Sequence, residues 1–166
     1  SKGLSKEVSP KGVRVVRGLP GVTDAVGVVP LDVYIMNRGL ENAGVPRIAA
    51  AIDLRRSGRM LDLGVREGSI ARVHGSTIAI SMQLAGDSHL GVGDTLRVRL
   101  PDGAEVQVRV GAVYRWSAAL GDLVLDAGFA RQHSVIGLDE AIYVTGGSSA
   151  DIVLRQFARR MPTAIV

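Results

Sequence analysis

The stretch Thr95-Leu96-Arg97-Val98-Arg99-Leu100-Pro101-Asp102-Gly103-Ala104-Glu105-Val106-Gln107-Val108-Arg109-Val110 decides the fold. Leu96, Val98 and Leu100 alternate with Thr95, Arg97 and Arg99. Pro101-Asp102-Gly103 is a strong turn signal, because Pro presets φ, Asp bonds its own backbone and Gly accepts left-handed conformations. Beyond the turn, Val106, Val108 and Val110 alternate with Glu105, Gln107 and Arg109. Successive side chains of a strand point to opposite faces, so period two on both sides of a tight turn predicts a half-buried β-hairpin. Its inner face is wholly aliphatic; its outer face carries three Arg, one Glu, one Thr and one Gln.

Upstream of the hairpin, Thr77–Ser81 reads as a short apolar strand. Ser81 is placed to cap a short helix through Leu84 and Ala85, which Gly86 and Asp87 keep short. Arg47–Leu54 reads as another strand, and the Gly-punctuated stretch Gly58–Gly75 as irregular. Asn37–Pro46 suits a long hairpin tip or a crossover. Val22–Met36 is Val-rich and predicts an extended strand, with Pro30 marking a bulge or break. Ahead of it, Leu19-Pro20-Gly21 is a turn. Ser9-Pro10 starts a helix with Val13 and Val16 on one face and Gly18 at its end.

Downstream, Asp122–Asp126 predicts a short strand, followed by a helical turn through Phe129 and Ala130, then a strand over Glu140–Thr145. Gly146-Gly147 breaks that strand. Ser148-Ser149-Ala150-Asp151 fits a capping box opening a helix. Leu154, Phe157, Ala158 and Met161 then form one apolar stripe, and Pro162 ends it. The fold class expected is α+β in two lobes: an α/β lobe made of 1–44 and 118–166, with a β-rich lobe, 45–117, inserted in the middle. Short helices are marginal alone. The faces Val13, Val16, Leu19 and Leu154, Phe157, Met161 therefore need a shared sheet, which predicts both chain ends in one lobe and on one side of the molecule.

Composition permits this. The chain has 166 residues, enough for one domain or two small lobes, and 46% are apolar. Only 4% are aromatic, so the core is built from branched aliphatics that suit strands. There is no cysteine, which excludes disulfides, thiolate metal sites and cysteine nucleophiles. The net charge of +4 comes mainly from scattered Arg, too mild for a nucleic-acid signature. No apolar run approaches the roughly 18 residues of a membrane span, and Ser1-Lys2-Gly3 opens no signal peptide. The missing initiator Met leads us to expect a fragment of a larger protein.

Few residues suggest chemistry. His74, His89 and His133 lie far apart and form no zinc pattern. Asp87 and His89 could orient one another beside Ser88, as a hydrolase would require; polar residues in a loop before Gly91 are by far the commoner reading of such a pattern. Gly86-Asp87-Ser88-His89-Leu90-Gly91 is one residue too long for a nucleophile elbow. Gly91-Val92-Gly93 and Gly146-Gly147 complete no phosphate loop, and no G-K-[ST] occurs. Gly146–Ser149 opens a helix, where an anion could sit, but a simple cap explains both serines. Arg97, Arg99 and Arg109 share one exposed face that could touch phosphates, but without the aromatic partners that base stacking needs, so a solvated face is the favoured reading. Arg155, Arg159 and Arg160 lie off the last helix's stripe and suit either solvent or acidic lipid headgroups. Trp116, the one Trp, suits packing between lobes or a partner anchor. No catalytic, cofactor-binding or metal residue is assigned, and the chain reads as no enzyme.

Leu19-Pro20-Gly21-Val22 with its Val-rich strand resembles the "LPGV" opening of extracytoplasmic domains in FtsX-like, MacB-like ABC transporter permeases. The run Ile78-Ala79-Ile80-Ser81, Gln83-Leu84-Ala85 and Leu90-Gly91-Val92-Gly93-Asp94-Thr95-Leu96 resembles the family's strand, helix and "lGlkvGDtl" segment. Leu100-Pro101-Asp102-Gly103, the return strand to Tyr114 and Asp139-Glu140-Ala141-Ile142-Tyr143-Val144 continue it. Gly86-Asp87-Ser88-His89 departs from the family's more regular helix. The likeness spans about Val13 to Arg160, rests on structural glycines, prolines and apolar alternation, and carries no catalytic residue. It implies a domain on the extracytoplasmic side of the cell membrane of a bacterium, between two membrane spans, with the lobe of the chain ends membrane-proximal. It implies a cytoplasmic ABC ATPase as partner, reached through the transmembrane region of the permease, and ATP hydrolysis driving export, extraction or partner activation outside. Further partners implied are a second permease copy, an extracytoplasmic protein or a lipid-linked substrate; nucleic acid is not among them. The alternative is a freestanding basic β-rich binding module for an anionic polymer.

Overall fold

The computed structural model describes residues 2–8, 10–37, 44–57, 62–115, 118, 120–133, 139–147 and 150. The chain divides into two compact units, Ser1–Val29 with Gly137–Val166, and Pro30–Ile136.

In the first unit, strand β1 (Lys2–Val8) pairs antiparallel with β9 (Asp139–Gly146), Leu4 opposite Ile142. The other edge of β9 takes the first half of β2 (Val22–Ile35), with Ala25 opposite Val144 and Gly27 opposite Ile142. Helix α1 (Pro10–Arg17) begins on its proline, whose missing N–H costs nothing in a first turn. Val16 is buried against Ala25, Ile142 and Val144, with Val13, Leu19 and Val22 packed around them. Val15, off this face, is exposed. The Arg17 guanidinium donates to Asp24 Oδ1 at 3.1 Å and to the Ala25 carbonyl at 2.9 Å, fastening the helix end to β2. β1 was not legible in sequence: Lys2–Val8 has weak strand propensity, and its pairing with β9 supplies what propensity does not.

The second unit centres on β3 (Pro46–Ile52), β8 (Leu123–Asp126), β5 (Thr77–Ser81) and β7 (Glu105–Tyr114). β3 runs parallel to β8, β8 antiparallel to β5, and β5 parallel to β7. Ala49–Ile52, Ile78–Ile80 and Leu123–Leu125 are all buried. Continuous apolar runs mark strands covered on both faces. Two short helices lie on them: α3 (Met82–Ser88) against β5 and β7, and α4 (Ala127–Gln132) against β8 and β3. Asp126 caps α4 through the N–H groups of Gly128 and Phe129.

The hairpin forms as expected. β6 (Thr95–Arg99) pairs with β7 through Thr95 opposite Arg109, Arg97 opposite Gln107 and Arg99 opposite Glu105. Leu96, Val98, Leu100, Val108 and Val110 are buried, Val106 is half-buried, and Thr95, Arg97, Arg99, Glu105, Gln107 and Arg109 are exposed. At the turn, Asp102 Oδ1 accepts from the Ala104 N–H at 2.9 Å, and Leu100 N–H donates to the Ala104 carbonyl at 2.9 Å.

Several expectations are refined. β2 runs unbroken through Pro30 but changes partner: Val22–Val28 pair with β9, whereas Tyr34 and Ile35 pair with β6. Helix α3 passes Gly86-Asp87 and ends where His89 adopts φ 53° and donates its N–H to the helix's last carbonyls. Gly58–Gly75, expected to be irregular, holds β4 (Val65–Gly68), paired with β7, and a 3₁₀ turn (Ile70–Arg72). Four exposed residues are too few to show alternation; the free edge of β7 makes the strand. Between Arg47 and Leu54, the strand ends at Ile52 and helix α2 (Leu54–Ser57) follows. Residues 30–44 and 118–136, read from sequence with the chain ends, fall in the second unit, because β8 takes its partners from β3 and β5. The C-terminal helix with Leu154, Phe157 and Met161, its arginines 155, 159 and 160, Ser9 and Trp116 lie outside the described residues. No described helix is long and apolar enough to cross a membrane.

Candidate functional site

The three hairpin arginines share one outer face, as alternation requires, yet each meets different neighbours. Arg99 is neutralised: its guanidinium lies 2.6 Å from Glu105 Oε1 directly across the ladder. Arg97 borders an open groove of about 770 Å3 with Met36, Asn37, Thr95, Glu105, Val106 and Gln107. The Arg97 backbone is held there by the end of β2, with Met36 N–H donating to the Arg97 carbonyl at 2.8 Å and Asn37 Oδ1 accepting from the Arg97 N–H at 2.6 Å. Arg109 points instead into a second concavity of about 330 Å3, lined by Arg72, His74, Thr77, Val92, Gly93, Val110 and Gly111.

The hydrolase reading finds no assembled site. Asp87 and His89 are exposed, Ser88 is buried, and no hydrogen bond joins them. His89 serves as a helix cap through its backbone. His74 lines the second concavity. His133, at the end of α4, places Nδ1 3.5 Å from Asp102 Oδ2 in the hairpin turn and meets the Phe129 ring edge-on with centroids 4.8 Å apart. Among the described residues, no group of His, Cys, Asp or Glu could hold a metal ion.

A largely buried polar cluster was invisible in the sequence. Asp122, just before β8, accepts from Arg47 Nη1 at 3.3 Å and from Ser81 Oγ at 3.1 Å. Ser81 Oγ in turn accepts from Leu84 N–H at 3.0 Å, so one hydroxyl both caps α3 and ties β5 to the β8 turn. Tyr114, wholly buried, donates its hydroxyl to the Gly121 carbonyl at 2.7 Å. Burial, and secondarily the Asp122 charge, holds the Tyr114 phenol protonated far above its ordinary range; burial also raises Tyr143. These partners come from β3, β5, β7 and the turn before β8. The cluster binds these strands together.

No protein-family model and no curated protein matches the chain. Solved structures do. The chain is similar to a domain of a presumed permease protein from Porphyromonas gingivalis, with 19% identity over 96% of this chain and 78% of that one, at a TM-score of 0.59. It is similar to the extracellular domain of the noncanonic ABC-type transporter YknZ from Gram-positive bacteria, with 13% identity over 95% of this chain and 86% of that one, at 0.66. It is also similar to the periplasmic region of MacB from Actinobacillus actinomycetemcomitans, with 9% identity over 96% and 81%, at 0.65. The fold is that of the extracellular and periplasmic domains of ABC-type transporter permeases. The resemblance read from Leu19–Val22, Ile78–Leu96 and Leu100–Gly103 pointed to this fold.

Proposed function

We propose that this chain is an extracytoplasmic domain of an ABC transporter permease subunit, standing outside the cell membrane and transmitting ATP-driven movement to a substrate or partner there. The observation that carries the reading is the extent of the likeness: three permease or transporter domains match over at least 95% of the chain at TM-scores of 0.59 to 0.66. The sequence agrees, since it holds no phosphate loop with which to take up nucleotide. The energy then comes from a cytoplasmic ABC ATPase, engaged through the transmembrane part of the permease. The unit of the chain ends, Ser1–Val29 with Gly137–Val166, is the membrane-proximal one in this reading. The surface of the other unit meets the outer partner: a second permease copy, an extracytoplasmic protein or a lipid-linked substrate. Nucleic acid is not a partner.

The test is purification of the natural gene product, with whatever flanks this chain, from its own membrane. An ATP-hydrolysing subunit should co-purify, while the 166-residue chain alone should bind no Mg-ATP by calorimetry. Micromolar nucleotide binding by the isolated chain, or a gene product that resides in the cytosol, would refute the reading.

A further inference from the structure

We propose that the concavity between the 3₁₀ turn and the β6–β7 hairpin binds the oxyanion of a phosphate or phosphoester. Arg72 and Arg109 line it together with His74 and Thr77, and among the described residues no carboxylate lines it. Among the described residues neither guanidinium group has an ion-pair or hydrogen-bond partner, in contrast to those of Arg17, Arg47 and Arg99, each engaged by a carboxylate. Two fixed cations facing one hollow repel each other, and an anion between them removes that cost. Planar guanidinium groups donate in a fork that matches phosphate oxygens, and the Thr77 hydroxyl adds a short polar group at the wall. The volume of about 330 Å3 leaves room for a substituent beyond a single phosphate group.

The backbone is shaped to make this hollow. Along β7, Val110 pairs with Ile78 and Ala112 with Ala79, so Gly111 is an extra residue, a bulge in a parallel pair. Bulges re-aim neighbouring side chains and recur beside functional sites. A Cβ on Gly111 would stand 2.6 Å from Thr77 Cγ2 and 3.4 Å from Arg72 Cβ. Glycine there lets the 3₁₀ turn settle onto β7, which brings Arg72 to the same rim as Arg109. Across the hollow, Gly93 has φ +102°, and a Cβ on it would lie 3.8 Å from Arg109 Nη2. The guanidinium therefore passes close over bare backbone. The site depends on these contacts alone and stands apart from the transporter reading.

Titration of the ¹⁵N-labelled chain with sodium phosphate, at ionic strength held constant with sodium chloride, tests the site. Saturable shifts are expected at the amides of Thr77, Gly93 and Gly111. Arg72→Gln and Arg109→Gln should each weaken binding about tenfold, whereas Arg97→Gln, outside the hollow, should leave it within about twofold. All three positions are exposed, so the spectra should otherwise be unchanged. Vesicles of phosphatidylglycerol in phosphatidylcholine distinguish the source. Vesicle binding that phosphate displaces assigns the site to a lipid headgroup; phosphate binding without vesicle binding assigns it to a free anion. No saturable shift with either probe, or equal weakening by Arg97→Gln and Arg109→Gln, would overturn the proposal.

Discussion

The two faces of the β6–β7 hairpin obey different rules. Inward, Leu96, Val98, Leu100, Val108 and Val110 are at most 2% exposed. Burial holds their register, because a slip of one residue would turn every arginine into the core. Outward, Arg97, Arg99 and Arg109 stand at equivalent places on the same ladder, yet one is paired, one borders a groove and one enters a hollow. The inner face is decided by the hairpin's own sequence. The outer face takes its character from Asn37, Glu105, Arg72 and His74, which other segments and the return strand bring to it.

Substitution on the inner face should have the largest effect. Val108→Asp places an unpaired carboxylate among aliphatics and should cost about 4 kcal/mol or more. Loss of the cooperative thermal transition of the Pro30–Ile136 unit checks it; a variant that melts like the parent would mean the register is wrong.

Further along β7, beyond the hairpin proper, Tyr114→Phe sharpens the contrast, because its polar group is buried rather than exposed. Loss of the bond to the Gly121 carbonyl should cost about 1 kcal/mol at neutral pH. The pH dependence has a definite sign. The folded phenol keeps its proton above the value near 10 at which an unfolded tyrosine loses it. The unfolded state then binds fewer protons than the native one, so stability is complete below pH 10 and falls as pH rises beyond it, by up to about 1.4 kcal/mol per unit. Urea denaturation from pH 9 to 11.5 should show a steeper decline in the parent than in Tyr114→Phe; parallel declines would contradict the assignment.

The smallest effect belongs to the outer face. Arg99 and Glu105 are 46% and 39% exposed in their side chains, and exposed pairs contribute under about 1 kcal/mol. A double-mutant cycle with Arg99→Gln and Glu105→Gln should give a coupling of that size that fades in 0.5 M salt.

What was legible follows from the same contrast. The hairpin, β5, the Ser81 cap and the strand at Asp139–Gly146 carry their signals within a few neighbouring residues: alternation, a Pro-Asp-Gly turn, a serine before a helix. β4 does not, because Val65–Gly68 is a strand only where β7 offers an edge. The membership of Leu123–Asp126 was misread because its partners, Ala49–Ile52 and Ala79–Ile80, are remote in sequence. The polar cluster joins Asp122 to Arg47 and Ser81 across separations of 75 and 41 residues, where no local pattern can report a contact. The phosphate hollow is hidden for the same reason. Arg109 was singled out as one of three hairpin arginines, but nothing near it in sequence names Arg72 or His74 as its neighbours.

Sidedness tests the central claim most directly. The chain contains no cysteine, and Gln107 is exposed on the outer face of the hairpin, so Gln107→Cys gives a single reporter in this domain. Expressed within the natural gene product in intact cells of its own host, it should react with a membrane-impermeant maleimide as fully as it does after the membrane is permeabilised. Labelling that appears only after permeabilisation would place the domain in the cytoplasm and contradict the account.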